Sequence, residues 1–298
     1  MSRRDVPFSR RATFVLVAAA VALLGAACGG NAVGDGTAAA GDAIAADLVH
    51  IHRLQQVPGT SALYVATHTG LFKVDGDEIE RVGNATHDLM GFTVAGPDDL
   101  LASGHPDLRV DELMVEGKPP LLGLAHSNDG QTWKPLSLLG DVDFHALVTA
   151  HDQVYGVDSQ TGALMVSRDR KTWETRSEGR PFSDIAVSPD DPDVLVAAAQ
   201  DGLAGSDAGG RSWKKLDAQP AAYLSWTAEG LFAVTPEGTV ARSADGGKEW
   251  QSLGSTGGPP AALHVTDEAV YVAIHEAGIK RSTDGGQTFE FLIRTNST

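Results

Sequence analysis

Short apolar runs separated by polar turns dominate the chain from Leu48 onward. In one clear unit, the runs Asp184–Val187 and Val194–Ala199 flank a Ser-Pro-Asp-Asp-Pro turn, and Leu203–Ser206 follows. Runs this short, bounded by Pro, Gly, Asp and Ser, indicate β-strands, and no period of 3.6 residues interrupts them. The pattern therefore predicts an all-β domain.

One short motif occurs five times within this domain. Each copy opens on serine and closes on an aromatic residue, and four copies have an Asp at the third position. The copies are Ser127–Trp133, Ser167–Trp173, Ser206–Trp213, Ser243–Trp250 and Ser282–Phe289. The closing aromatic residues lie 37 to 40 residues apart. A fixed period of this length indicates a repeat architecture.

The motif resembles the Asp-box, or BNR repeat, of sialidase-type and sortilin-type β-propellers. Asp favours a tight turn because its carboxylate accepts nearby backbone amides, and Gly tolerates positive φ. The aromatic residue then begins a strand and packs between neighbouring sheets. The structural box residues are expected to be Asp129, Asp169, Asp245, Asp284, Trp133, Trp173, Trp213, Trp250 and Phe289.

A period near 40 residues with four strands predicts a β-propeller. Residues 48–293 divide into about six four-stranded blades, at 48–83, 87–138, 141–177, 181–217, 220–254 and 258–293. The second blade carries an insertion around Pro106–Pro120. A pair of β-sandwiches is the alternative architecture, but sandwiches lack such regular spacing. Residues 294–298 are expected to form a C-terminal tail.

The N-terminus predicts export and lipidation. Residues 1–27 have basic residues followed by the apolar run Phe14–Ala27, as in a signal peptide, and that run is shorter than the ~20 residues of a membrane-spanning helix. Small residues before Cys28 resemble a bacterial lipobox, which implies a lipid on Cys28. The general route and the twin-arginine route both stay open for export. Residues 28–47 are rich in Gly and Ala and predict a flexible tether.

Charge and cysteine content narrow the function classes. The net charge of −16 excludes a nucleic-acid binder that works by phosphate neutralisation, and it favours basic protein partners. The single cysteine excludes an internal disulfide and a zinc site built from cysteines. We therefore expect an extracytoplasmic monomer, anchored to the membrane, whose partner is a metal ion, a glycan or a basic protein.

Several blades carry histidine at equivalent places near one end of their strands. His68, His105 and His275 end second strands, and they belong to blades one, two and six, which are consecutive if the ring closes. The predicted metal ligands are His52, His68, His105, His145 and His275, with His50 and Met90 as weaker candidates. Imidazole suits Cu or Zn, and a thioether favours Cu. A polar small ligand at the same mouth is an equal alternative.

The resemblance to Asp-box propellers also implies two other functions. Sialidases of that kind use an arginine cluster and carboxylates, so a glycoside hydrolase is one alternative, with Asp143 and Glu276 as weak catalytic candidates. An arginine triad would have to come from Arg53, Arg81 and Arg109. The chain is similar as well to bacterial exported propellers labelled glycosyl hydrolases by similarity, and to propeller assembly factors of photosynthetic membranes, which implies a protein scaffold. We expect ligand binding rather than catalysis.

Overall fold

A computed structural model describes Leu48 and residues 50–295 of the chain. The predicted signal peptide, Cys28 and the tether lie outside these residues, as do the last three residues of the predicted tail. The described part contains 24 strands and one 3-10 turn, Asp111–Leu113. No helix in this part is long and apolar enough to cross a bilayer.

The strands form six antiparallel sheets of four, each in chain order. The first three blades consist of β1 (Ile51–Gln56), β2 (Leu63–Thr67), β3 (Gly70–Asp75), β4 (Glu78–Val82); β5 (Asp88–Gly96), β6 (Asp99–His105), β7 (Leu124–Ser127), β8 (Lys134–Ser137); and β9 (Phe144–Ala150), β10 (Gln153–Asp158), β11 (Leu164–Ser167), β12 (Glu174–Ser177). The last three consist of β13 (Phe182–Val187), β14 (Leu195–Ala199), β15 (Gly202–Ser206), β16 (Lys214–Lys215); β17 (Tyr223–Thr227), β18 (Gly230–Val234), β19 (Thr239–Ser243), β20 (Gln251–Ser255); and β21 (Pro260–Val265), β22 (Val270–Ile274), β23 (Gly278–Ser282), β24 (Glu290–Arg294).

The six sheets close into a ring. The innermost strands β1, β5, β9, β13, β17 and β21 each contact the next, and β21 contacts β1. The all-β prediction and the six-bladed propeller are therefore confirmed. Closure also places blades one, two and six side by side, as the histidine alignment required.

The hydrophobic core lies between neighbouring blades. Between blades six and one, for example, Leu54 and Phe72 belong to one buried cluster with Tyr271 and Ile279. Each blade has apolar residues on both faces of its inner strands, because both faces are covered by neighbours. The core therefore depends on the complete ring.

The five repeated motifs form the hairpins between the third and fourth strands. In blade five, Ser243 Oγ accepts the Gly247 N–H at 2.8 Å, and Asp245 Oδ1 accepts the Lys248 and Glu249 N–H groups at 3.0 and 2.9 Å. Trp250 donates from its indole to the Gly247 carbonyl at 3.0 Å. The third copy lacks the Asp, since Ala208 stands there, yet Ser206 Oγ still accepts the Gly210 N–H at 2.9 Å. The serine is therefore enough to close this turn.

Candidate functional site

The inner strands of blades one and three begin with a β-bulge. The register of β1 against β2 skips His52, and that of β9 against β10 skips His145. A bulge adds an unpaired residue and turns its side chain away from the regular alternation. Both imidazoles consequently contact carboxylates at the end of the ring where β2 and β6 finish.

Asp88 lies at the centre of one half of this site. His52 Nε2 is 3.0 Å from Asp88 Oδ1, while His68 Nδ1 and His105 Nδ1 are 2.9 and 3.3 Å from Asp88 Oδ2. The three imidazoles come from β1, from the turn after β2 and from the end of β6. Blades one and two therefore bring three of the five predicted ligands onto one carboxylate.

Asp143 lies at the centre of the other half. Its Oδ2 is 2.8 Å from His145 Nε2 and accepts the Ser159 hydroxyl at 2.9 Å. The second nitrogen of His105, Nε2, is 3.8 Å from the same oxygen. The His105 ring thus faces Asp88 with one nitrogen and Asp143 with the other.

The two remaining histidine candidates extend the cluster toward blade six. The His50 ring lies 6.0 Å from the His68 ring and 6.0 Å from the His275 ring, measured between centroids. His275 Nδ1 is 3.9 Å from Glu276, whose side chain is 82% exposed. His50 and His275 are therefore peripheral to the two carboxylates.

Met90, the other weak candidate, is half-buried on β5 two residues after Asp88. It lies inside the register shift between Asp88 and Gly91. Met90 is therefore close to Asp88 in sequence.

The surroundings of Asp88 and Asp143 lower the pKa of both carboxylates. Burial raises the pKa of Asp88, but hydrogen bonds and positive charge from His52, His68 and His105 outweigh this and leave the pKa below its usual value. Burial likewise raises the pKa of Asp143, and His145, Ser159 and His105 together bring it below its usual value. Each Asp therefore offers a charged oxygen to a cation.

Sequence reasoning missed Asp88, although a signal for it exists. The segment from Asp88 to Phe92 (DLMGF) matches the segment from Asp143 to Leu147 (DFHAL), with Asp first and two apolar residues at equivalent places. Aligning only the histidines and Met90 left this Asp aside. The shared Asp is what holds the imidazoles in both halves.

The weak catalytic candidates lie on opposite sides of the ring. Asp143 precedes β9 in blade three, whereas Glu276 follows β22 in blade six. Glycoside hydrolysis needs two carboxyl groups about 5–9.5 Å apart across the scissile bond. Asp143 is moreover engaged by His145 and Ser159. The geometry gives the glycosidase alternative less support than the histidine cluster.

The three arginines considered for a sialidase-like triad have separate partners. Arg53 Nη1 donates to Asp184 Oδ1 at 2.9 Å, and Arg109 Nε donates to Asp107 Oδ1 at 2.8 Å. Arg81 stacks on the Phe72 ring, with its guanidinium carbon 4.4 Å from the centroid. These partners lie in blade four, in the insertion of blade two and in blade one, so the three guanidinium groups do not share one contact.

The central channel contains a cavity of about 400 Å³. The inner strands line it, and Arg53 and Asp184 belong to its wall together with Trp226 and His264. His264 Nε2 accepts the Gln56 N–H at 3.1 Å, and burial lowers the pKa of His264 to about 4. This histidine is therefore a neutral acceptor in the channel.

No family model and no curated protein matches the chain. Solved structures match its fold. PorZ, a bacterial surface component of the type-IX secretion system of Porphyromonas gingivalis, is 15% identical with a TM-score of 0.53, covering 83% of this chain and 33% of that one. An ancestral GH74 enzyme is 13% identical with a TM-score of 0.51, covering 84% and 39%. YCF48 bound to a D1 peptide is 16% identical with a TM-score of 0.51, covering 82% and 80%.

These similarities establish the propeller and nothing finer, because identities this low leave the sites unrelated in sequence. The chain spans about a third of the length of PorZ and two fifths of that of the GH74 enzyme.

Proposed function

We propose that this protein binds a divalent transition-metal ion, Zn²⁺ or Cu²⁺, at the mouth of its propeller. One observation carries the proposal: a ligand atom from each of His52, His68 and Asp88 lies within 4.8 Å of the other two. Ligands of a tetrahedral metal lie about 3.3 Å apart when metal–ligand bonds are about 2.0–2.1 Å long. His52 Nε2 lies 3.0 Å from Asp88 Oδ1 and His68 Nδ1 lies 2.9 Å from Asp88 Oδ2, so each imidazole is near that spacing from a different oxygen of the carboxylate.

The donor set selects the type of metal. Two imidazoles with one carboxylate suit Zn²⁺, Cu²⁺ or Ni²⁺, whereas Ca²⁺ and Mg²⁺ prefer shells made of oxygen. Three protein ligands leave a fourth position for water or a small molecule. The His68 side chain is 60% exposed, so solvent reaches this position. A small ligand coordinated to the metal is consistent with the same mouth.

The proposed location of this site outside the cytoplasm rests on the sequence alone. Residues 1–27 and Cys28 support export and attachment to a membrane by lipid, with residues 28–47 as the connection. The protein would then present its metal site outside the cytoplasm. Exchange of metal or a metal-bound ligand with the surroundings would suit an exposed mouth.

Titration of the full chain, solubilised in detergent and stripped with a chelator, tests the proposal. We expect saturable binding of Zn²⁺ and no competition from an excess of Mg²⁺. Asp88→Asn and His52→Gln should each weaken binding at this site by about tenfold or more, because the first removes the charge of a ligand and the second removes an imidazole donor. His126→Gln is the matched control, since His126 contacts Asp99 in blade two, away from the cluster. Absence of Zn²⁺ and Cu²⁺ uptake by the unmodified chain would refute the proposal.

A further inference from the structure

We propose that the mouth binds a second metal ion, on Asp143 and His145, and that the imidazole of His105 bridges the two ions. The inference rests on the proposed function and extends it from one ion to two. It assigns the two halves of the cluster to two ions, with His105 in place of water at the fourth position of the first ion. Two features support this assignment: the position of the His105 ring and a buried oxygen of Asp143.

The His105 ring lies between the two carboxylates. Its Nδ1 is 3.3 Å from Asp88 Oδ2, and its Nε2 is 3.8 Å from Asp143 Oδ2. Each distance is within the range of two ligands on one metal, which reaches about 4 Å when the ligands are opposite. The two nitrogens of one ring can therefore serve two ions at once.

Asp143 provides the second, independent observation. Its side chain is 6% exposed, and its Oδ1 is buried with no hydrogen-bond partner in the described part of the chain. A buried charged oxygen without a partner is unfavourable, because it has lost its hydration without gaining a hydrogen bond. A cation held by both oxygens of Asp143 and by His145 Nε2 would satisfy it.

The negative charges of Asp88 and Asp143 also favour bound metal ions. In residues 50–295, the ion pairs of Asp88 and Asp143 are all with imidazoles. Neutral imidazoles leave the buried carboxylate of Asp143 and the partly buried carboxylate of Asp88 uncompensated, and buried charges require compensation. Either protons or metal ions on the imidazole nitrogens supply it. The competing arrangement is a protonated His105 that donates to both carboxylates.

Backbone contacts hold the Asp88 half and the Asp143 half of the cluster close together. Ser103 Oγ, on β6, accepts the Phe144 N–H of β9 at 2.9 Å, which ties the strand that carries His105 to the strand that follows Asp143. Gly104 has φ +127°, and a Cβ there would lie 2.1 Å from the Asp88 carbonyl oxygen. Glycine thus lets β6 approach Asp88 closely enough for His105 to reach both carboxylates.

Copper binding to the stripped full chain tests the inference. We expect two equivalents of Cu²⁺ and, at liquid-helium temperature, an electron paramagnetic resonance intensity below half of the bound copper, since an imidazolate bridge couples the two spins antiferromagnetically. Asp143→Asn should bind one equivalent, with full intensity from that ion. His145→Gln is a second variant with the same expected result, and His126→Gln should behave as the unmodified chain.

The outcomes separate the inference from the proposed function. One equivalent in both the unmodified chain and Asp143→Asn would overturn the second site and leave the first in place. Two equivalents with full spin intensity would overturn the bridge. No bound copper at all would overturn the inference, and the absence of Zn²⁺ uptake as well would overturn the proposed function.

Discussion

Arg53 and Asp184 form an ion pair across the central channel, from the first blade to the fourth. Arg53 Nη1 donates to Asp184 Oδ1 at 2.9 Å, and Nη2 donates to the His145 carbonyl at 2.7 Å. Burial raises the pKa of Asp184, while the charge of Arg53 and the N–H groups of Leu224 and Ile185 oppose this rise. The pair links opposite sides of the ring and holds the backbone of a site histidine.

Removal of Arg53 should destabilise the propeller strongly. Arg53→Met leaves the Asp184 carboxylate buried without its partner, which costs about 3–5 kcal/mol in comparable buried pairs. Urea denaturation measures the loss, and Arg53→Met/Asp184→Leu should recover much of it. Arg211→Met is the control, because Arg211 and Glu174 are half exposed and such pairs contribute about 0–1 kcal/mol. Equal losses for the two arginines would contradict the importance of the channel pair.

Gly104→Ala should lower the Zn²⁺ affinity, an effect that the backbone strain of alanine at positive φ does not by itself produce. Gly104 and Gly202 both have positive φ, at +127° and +119°, so alanine is strained at either position. Only at Gly104 would the new Cβ press on Asp88; at Gly202 the nearest atom is Lys215 Cε at 3.8 Å. We expect Zn²⁺ affinity to fall about tenfold in Gly104→Ala, as for loss of support around a metal ligand.

Zn²⁺ titration of the two glycine variants provides the comparison. Gly202→Ala should bind as the unmodified chain does, even though its stability decreases. Unchanged affinity in Gly104→Ala would mean that the approach of β6 to Asp88 is not needed for binding.

The neutral state of His264 predicts a fall in stability on mild acidification. Burial lowers the pKa of His264 to about 4, against 6.5 for an ordinary histidine. Between these values the unfolded chain binds more protons than the folded chain, so stability decreases as pH falls from 6.5 toward 4. His87 contributes with the same sign, because burial lowers its pKa and its Nδ1 accepts the Asp107 N–H at 2.8 Å.

Urea midpoints across this pH range measure the effect. His264→Gln keeps an acceptor for the Gln56 N–H but has no titratable ring, so its stability should depend less steeply on pH. Parallel pH profiles for the variant and the unmodified chain would show that His264 does not stay neutral in the fold.

The serine that opens each repeated hairpin should contribute more to the stability of the propeller than exposed serines nearby. Ser243→Ala removes the acceptor of the buried Gly247 N–H, and an unsatisfied donor costs about 1–3 kcal/mol. Ser252→Ala, on the exposed outer strand β20, should change stability by about 0.5 kcal/mol or less. Chemical denaturation compares the two. A larger effect at Ser252 would contradict the role given to the serine.

Much of the fold was predictable because its information is local and repeated. Motifs 37 to 40 residues apart place one hairpin per blade, and the intervening apolar runs place the strands. The alignment of blades also brought out His68, His105 and His275, because equivalent positions in a ring lie at one end. The structure places these residues there, with His275 farther from the carboxylates than expected.

The remaining details depend on geometry that no local pattern carries. Asp88 gathers three imidazoles because bulges at the starts of β1 and β5 redirect the backbone, and strand alternation does not predict such bulges. Arg53 and Asp184 are 131 residues apart in sequence and meet only because the ring closes. The position of the His105 ring between Asp88 and Asp143 likewise depends on contacts between two blades.

Anomalous X-ray diffraction from crystals grown with Zn²⁺ tests the central claim most directly. The account predicts a peak at the zinc absorption edge within about 2.0–2.2 Å of His52 Nε2, His68 Nδ1 and a carboxylate oxygen of Asp88. Under the same conditions and at limiting Zn²⁺, the peak should be weaker in Asp88→Asn crystals, in line with the loss of affinity. A map with no anomalous peak among these three residues in the unmodified protein would contradict the metal site.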